Sequence, residues 1–292
     1  MVNSNLHDKI KNNFFIGIGS QRGGTTWLGE FLSTHPEVSF SPHKELHYFD
    51  TKYLKICKKY DLRFETKLIK KVEKIKKTGL KKHTVKQLKL LIDRLEMRHN
   101  EDAYIKYFEN IYNGEKISGE ISPSYSMLNE YGFSQIKRMI PNVKIIYILR
   151  NPIDRFWSQI LLNHTRKSNF NPIEVFEEKL KDKNYYRRTA YHSTIKAIEK
   201  VFDPSQIHIL FFENIFDVNT RFETVKGITD FLDIKFIEPK FGTVVNSSKK
   251  VALPDELRKI GVNRFKKTYQ YIQKRNEAIP EKWIKDMALL RK

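Results

Sequence analysis

The chain has 292 residues, 40% of them hydrophobic and 13% aromatic, enough for a sizeable core in one large α/β domain or two small ones. Its 54 Lys and Arg against 34 Asp and Glu give a formal charge of +20, which favours anionic partners without choosing among nucleotides, acidic glycans, nucleic acid and membrane surfaces. A single cysteine, Cys57, excludes an intrachain disulfide and argues against a thiolate zinc site.

The first residues, Met1 to Asn13, are polar and lack the charged-then-apolar pattern of a signal peptide. No apolar run is long enough to span a bilayer, so a soluble, cytoplasmic protein is expected. Phe14 to Ile18 reads as a strand ending at Gly19. Thr25 to Leu32 has helical apolar spacing and stops before His35-Pro36. Between them lies a glycine-rich turn, Gly19-Ser20-Gln21-Arg22-Gly23-Gly24. Val38 to Phe40 reads as a second short strand.

From about residue 51 to 110 lysines crowd the chain, while Leu68, Val72 and Ile75, then Leu88, Leu91 and Leu95, keep a helical apolar stripe. The expectation is a Lys-rich helical insertion, either with a solvated face or with a surface for an anionic acceptor. Strand-like runs recur at 116–121, 144–149 and 207–212, with helices expected at Ile153 to His164 and Tyr191 to Phe202. Alternating β and α segments imply a mostly parallel sheet flanked by helices on both faces. The tail from Asp255 to Lys292 reads as helical, with Leu257, Ile260, Phe265, Trp283, Ile284 and Met287 as docking residues. Residues 1–292 are expected to form a single domain.

A glycine turn between strand and helix makes a nest of backbone N–H groups for a phosphate at the helix N-terminus, to which Thr25 and Thr26 add hydroxyls. The nucleotide loop G-x-x-x-x-G-K-[ST] would place lysine where Thr25 stands, and here the cation is Arg22, inside the loop. The 144–149 strand ends in Arg150-Asn151-Pro152, where an NTPase would want an acid for Mg²⁺. Two cations point to a nucleotide with anionic groups at two places and no required metal. His43 and His47 have the i, i+4 spacing of two metal ligands on one helix face. Lys44 directly follows the first, and no third ligand is evident, so no metal site is expected.

Gly19 to Leu28 resembles the 5′-phosphosulfate loop of the sulfotransferases that use 3′-phosphoadenosine 5′-phosphosulfate (PAPS), and Leu149 to Ser158 is similar to their 3′-phosphate motif. His35-Pro36-Glu37 and Lys44 to Asp50 resemble segments of the glycan and heparan sulfate sulfotransferase-like branch and its bacterial relatives. Gly119 to Tyr125 and Leu210 to Asn214 fall in familiar order.

The resemblance implies a P-loop-like three-layer α/β fold and transfer of a sulfuryl group from PAPS, leaving adenosine 3′,5′-bisphosphate. It implies that Arg22 bridges the sulfuryl group and the leaving phosphate, and that Gly23, Gly24, Thr25 and Thr26 hold the 5′-phosphate. Arg150 and Ser158 would take the 3′-phosphate. Trp27 and Tyr191 match positions near the adenine, although Trp27 also reads as a core helix residue. Glu45 would be the general base. The loop Val244 to Lys250 would close on the phosphates through Lys249 or Lys250.

One departure is Ile121, where glycan enzymes often carry a lysine before Ser/Thr-Pro-x-Tyr. It makes Glu120 and Ser122 poor candidates for a part in transfer. The charge and the resemblance to the glycan branch imply a saccharide or glycolipid as acceptor, and a small-molecule alcohol fits nearly as well. Nothing resembles a nucleic-acid module. The competing functions are a P-loop kinase or NTPase and a non-catalytic basic anion-binding protein.

Overall fold

The computed structural model describes residues 4–164, 171–241, 251–275 and 278–290. Five strands form one sheet: β1 (Phe14–Gly19), β2 (Val38–Phe40), β3 (Ile117–Ile121), β4 (Lys144–Leu149) and β5 (Ile207–Phe211). Their order is β2-β3-β1-β4-β5, and every pairing is parallel. The expected α/β class with a mostly parallel sheet is therefore found.

Parallel strands need crossovers that cover both faces, so their side chains are apolar on both sides. β1 illustrates this by alternation. Phe14, Ile16 and Ile18 enter one buried cluster, and Phe15 joins Ile146 and Ile148 of β4 in another. The sheet is thus the middle of three layers. β1 lies at its centre, with the next strand pair on one side and β4 on the other. Such a reversal of direction leaves a crevice at the carboxyl ends of the strands.

The strand boundaries match the sequence reading to within a residue. The last strand stops at Phe211 because a short helix, Phe212–Phe216, begins there. The insertion comprises helices Tyr48–Tyr53, Lys59–Thr78, Lys82–Glu96 and Asp102–Glu109. The middle two pack as a hairpin, whose root enters the main core through Tyr60 and Leu90. The tail forms helices Asp255–Arg264, Lys266–Gln273 and Glu281–Met287. Phe265 and Trp283 dock as expected, at 1% and 0% exposure. Ile260 and Ile284 do not; both are exposed, because each points away from the face its short helix presents to the core.

Candidate active site

The glycine turn connects β1 to helix Thr25–Ser33 at the carboxyl edge of the sheet. Its path needs small or strained residues. Gly24 has φ 91, and a Cβ on Gly23 would lie 2.3 Å from the Ser20 hydroxyl. Arg22 itself is held at φ 68, a left-handed conformation that costs a non-glycine residue of order 1 kcal/mol. Gly24 occupies the N-cap without a side chain to cap the helix, so the amides of its first turn have no intrahelical acceptor and remain available to an anion.

The turn is fastened to β4. Ser20 N donates to the Ile148 carbonyl at 2.8 Å, two residues before Arg150. Arg150 then reaches back, its Nη1 donating to the Arg22 carbonyl at 2.9 Å while its guanidinium stacks on Phe212 at 4.5 Å. The Arg22 side chain crosses to the helix after β4, Nε donating to Ser158 Oγ at 3.0 Å. Arg22, Arg150 and Ser158 therefore form one linked group. Burial, and after it the charge of Arg150, push the Arg22 guanidinium below its ordinary value. Bringing an anion between two such cations relieves both costs.

The Arg150 turn is braced from below. The Tyr191 hydroxyl donates to the Arg150 carbonyl at 2.8 Å, and the tyrosine is fully buried. Glu213 accepts the Asn151 amide at 2.8 Å and the Trp283 indole at 3.0 Å. Asn151 donates to Asp286 at 2.7 Å. The helical tail thus fixes the residue next to Arg150. Arg155, fully buried, donates to Thr189, Gln159 and the carbonyl of Gln21, tying the glycine turn to the same helix. Desolvation lowers its guanidinium to about 10.

Across the crevice, Thr25 and Thr26 share a cavity of about 550 Å³ with Phe40, Lys44, Glu45 and Pro123. Glu45 is one-third exposed, and its carboxylate meets His47 Nε2 at 2.9 Å. His47 Nδ1 lies 2.7 Å from the fully buried Asp50, which also accepts from Ser124. Burial alone would lower the imidazole, but hydrogen bonds and charge from Asp50 and Glu45 outweigh it and hold His47 at about 9. A protonated His47, stacked on Tyr60 at 3.9 Å, fixes the orientation of Glu45.

The 45–50 segment has no strand to follow, so side chains hold it. Arg94, 1% exposed, donates to the carbonyls of Leu46 and His47 and to Asp61. The Tyr125 hydroxyl accepts the Tyr48 amide at 3.0 Å. Ser122 accepts from His47 N, and Glu120 accepts from Leu46 N. Burial raises the Glu120 carboxyl, although Tyr104 and Tyr125 both donate to it at 2.8 Å.

The remaining candidate residues fall as follows. His43 and His47 share no helix, because helical structure starts at Tyr48. His43 Nε2 meets the Leu90 carbonyl instead. Glu45 pairs with His47. Trp27 is 8% exposed and stacks on Phe31 and Phe241, beside a hollow shared with His35 and Lys240. The 244–250 segment with Lys249 and Lys250 lies outside the described residues. Sequence reasoning missed Arg94, and it gave Arg155 and Glu213 no role of their own within the segments that look familiar. Arg94 left one trace, a charge on the same helix face as Leu90, four residues earlier.

A model described as the sulfotransferase family matches residues 14–238. A membrane-associated sulfotransferase, kil1, from Dictyostelium discoideum is 24% identical over 170 residues, covering 57% of this chain. The match spans about a quarter (26%) of that relative's length. A sulfotransferase from Alicyclobacillus acidocaldarius has a similar fold, with TM-score 0.62, 20% identity and coverage of 93% and 98% of the two chains. The sulfotransferase domain of an olefin synthase from Synechococcus PCC 7002 follows at TM-score 0.53 and 16% identity, covering 91% and 95%.

Proposed function

The chain belongs to the sulfotransferase family, and from that premise we propose that it moves a sulfuryl group from PAPS to a hydroxyl or amine of a small molecule, saccharide or glycolipid. The observation that carries the reading is the bond from Arg150 to the Arg22 carbonyl. It joins cations from the ends of β1 and β4 into one anion site, at the start of the helix whose first turn faces Glu45.

The donor set fits a doubly phosphorylated nucleotide. First-turn amides, the Thr25 and Thr26 hydroxyls and Arg22 suit the 5′-phosphosulfate, and Arg150 with Ser158 suits the 3′-phosphate. When bound, PAPS supplies an activated sulfuryl group whose S–O bond to the phosphate is the one to break. Arg22 stabilises the negative charge that grows on the departing oxygen. Glu45 accepts the proton the acceptor loses as its oxygen or nitrogen bonds to sulfur. His47 and Asp50 keep that carboxylate oriented. Tyr191, Glu213 and Arg155 position Arg150 and the turn.

The test is a screen of hydroxyl and amine acceptors with sulfur-labelled PAPS. Labelled product should form at an undiminished rate with EDTA present. Nucleotide binding that required Mg²⁺ and ATP, with no labelled product, would favour a kinase instead.

A further inference from the structure

The Lys-rich hairpin holds the segment after Glu45 through Arg94, which donates to the carbonyls of Leu46 and His47. Between Thr66 and Lys89 only Thr84 is buried, so about 20 Å of hairpin stands clear of the body. That stretch contains ten lysines and one carboxylate, Glu73. Solvation explains the lysines, but not the large aliphatic side chains among them. Leu80, at the tip, is 62% exposed, Ile69 57%, Val85 49% and Val72 39%.

Helical geometry places these aliphatics together. Leu68 and Ile75 face the partner helix from one side, and Leu88 and Leu95 from the other; all are partly buried. At about 100° per residue, Val72, Ile69 and Leu62 lie roughly 50–130° round from that inward stripe in the direction of the chain. Val85 and Ile92 are displaced in the same sense. Because the helices run antiparallel, the same rotation brings both sets onto one side of the hairpin. The opposite side at the root faces the body, where Leu90 is buried. Lys76, Lys82 and Lys89 flank the aliphatic strip.

We propose that this face docks on an anionic lipid bilayer, its aliphatic residues entering the headgroup boundary and its lysines meeting acidic headgroups. Interfacial helices bind by that combination of apolar burial and charge. A soluble polyanionic glycan would use the lysines and leave the aliphatics in water. A second copy of the chain would bring two strongly positive surfaces together. The bilayer satisfies both features.

The experiment is flotation of the whole protein with vesicles of phosphatidylcholine alone or with about one-third phosphatidylserine, without donor or acceptor, so its outcome leaves the sulfuryl-transfer reading untouched. Binding is expected only to the anionic vesicles and should weaken with salt. Ile69→Ser with Leu80→Ser, both at exposed positions, should reduce partitioning about tenfold while circular dichroism stays unchanged. Absence of binding, or equal binding by the double variant, overturns the proposal. So does binding to heparin as tight as to vesicles and indifferent to the serines. Concentration-dependent dimerisation that the serines abolish would assign the face to a second copy and likewise overturn it.

Discussion

The two sides of the crevice are built by different means. The cationic side is local: a turn of six residues fastened to the neighbouring strand, then a second turn two residues further along that strand. The carboxylate side is assembled at long range. Glu45 stands on a segment without regular structure, fixed by side chains from the hairpin and from the end of β3. Sheet ladders position Arg22 and Arg150, whereas a buried polar network positions Glu45. Such a network is sensitive to the loss of any member, because each deletion leaves buried partners unsatisfied.

The largest expected difference between the two sides concerns chemistry. Glu45→Gln should lower turnover by roughly 10²–10⁴-fold, with the affinity for adenosine 3′,5′-bisphosphate retained. A variant that turns over normally would remove Glu45 from the mechanism. The network can be broken next. Arg94→Met leaves the carbonyls of Leu46 and His47 without their side-chain donor and Asp61 with Arg98 alone, and should cost about 3 kcal/mol in urea unfolding. In the folded variant kcat should fall while bisphosphate binding holds; Arg94→Lys should recover part of the loss. Equal damage to binding would show that the two sides are not separable.

A smaller effect follows from His47. Its imidazole is raised from the ordinary 6.5 to about 9 in the folded protein. The stabilisation is therefore complete below about 6.5 and is lost as pH rises through about 9. The stability gap between wild type and His47→Gln should shrink across that window by up to roughly 3 kcal/mol. A constant gap would mean that His47 is neutral beside Glu45.

The same contrast governs what could be read from the chain. Strand, glycine turn and helix lie within Phe14 to Leu32, so their order and spacing are visible together, as are Arg150 and Ser158 within one turn-and-helix motif. Glu45 was visible as a residue type in a familiar stretch, but its supports were not. Arg94 lies 47 residues from His47 and Tyr125 lies 77 from Tyr48. Their pairing depends on tertiary packing, which leaves no periodic signal. Glu120 and Ser122 looked unsuited to transfer, and the structure finds both inside the scaffold. Glu213 looked merely familiar in order, yet it holds the amide beside Arg150 through contacts that depend on the tail.

Titration calorimetry tests most directly whether one crevice clasps both ends of a doubly phosphorylated adenosine. Adenosine 3′,5′-bisphosphate should bind the wild type with one site per chain. Arg150→Ala should weaken it about 10- to 100-fold, with much less effect on adenosine 5′-phosphate, which lacks the 3′ group. No heat with the bisphosphate, or equal losses for both nucleotides, would contradict the account.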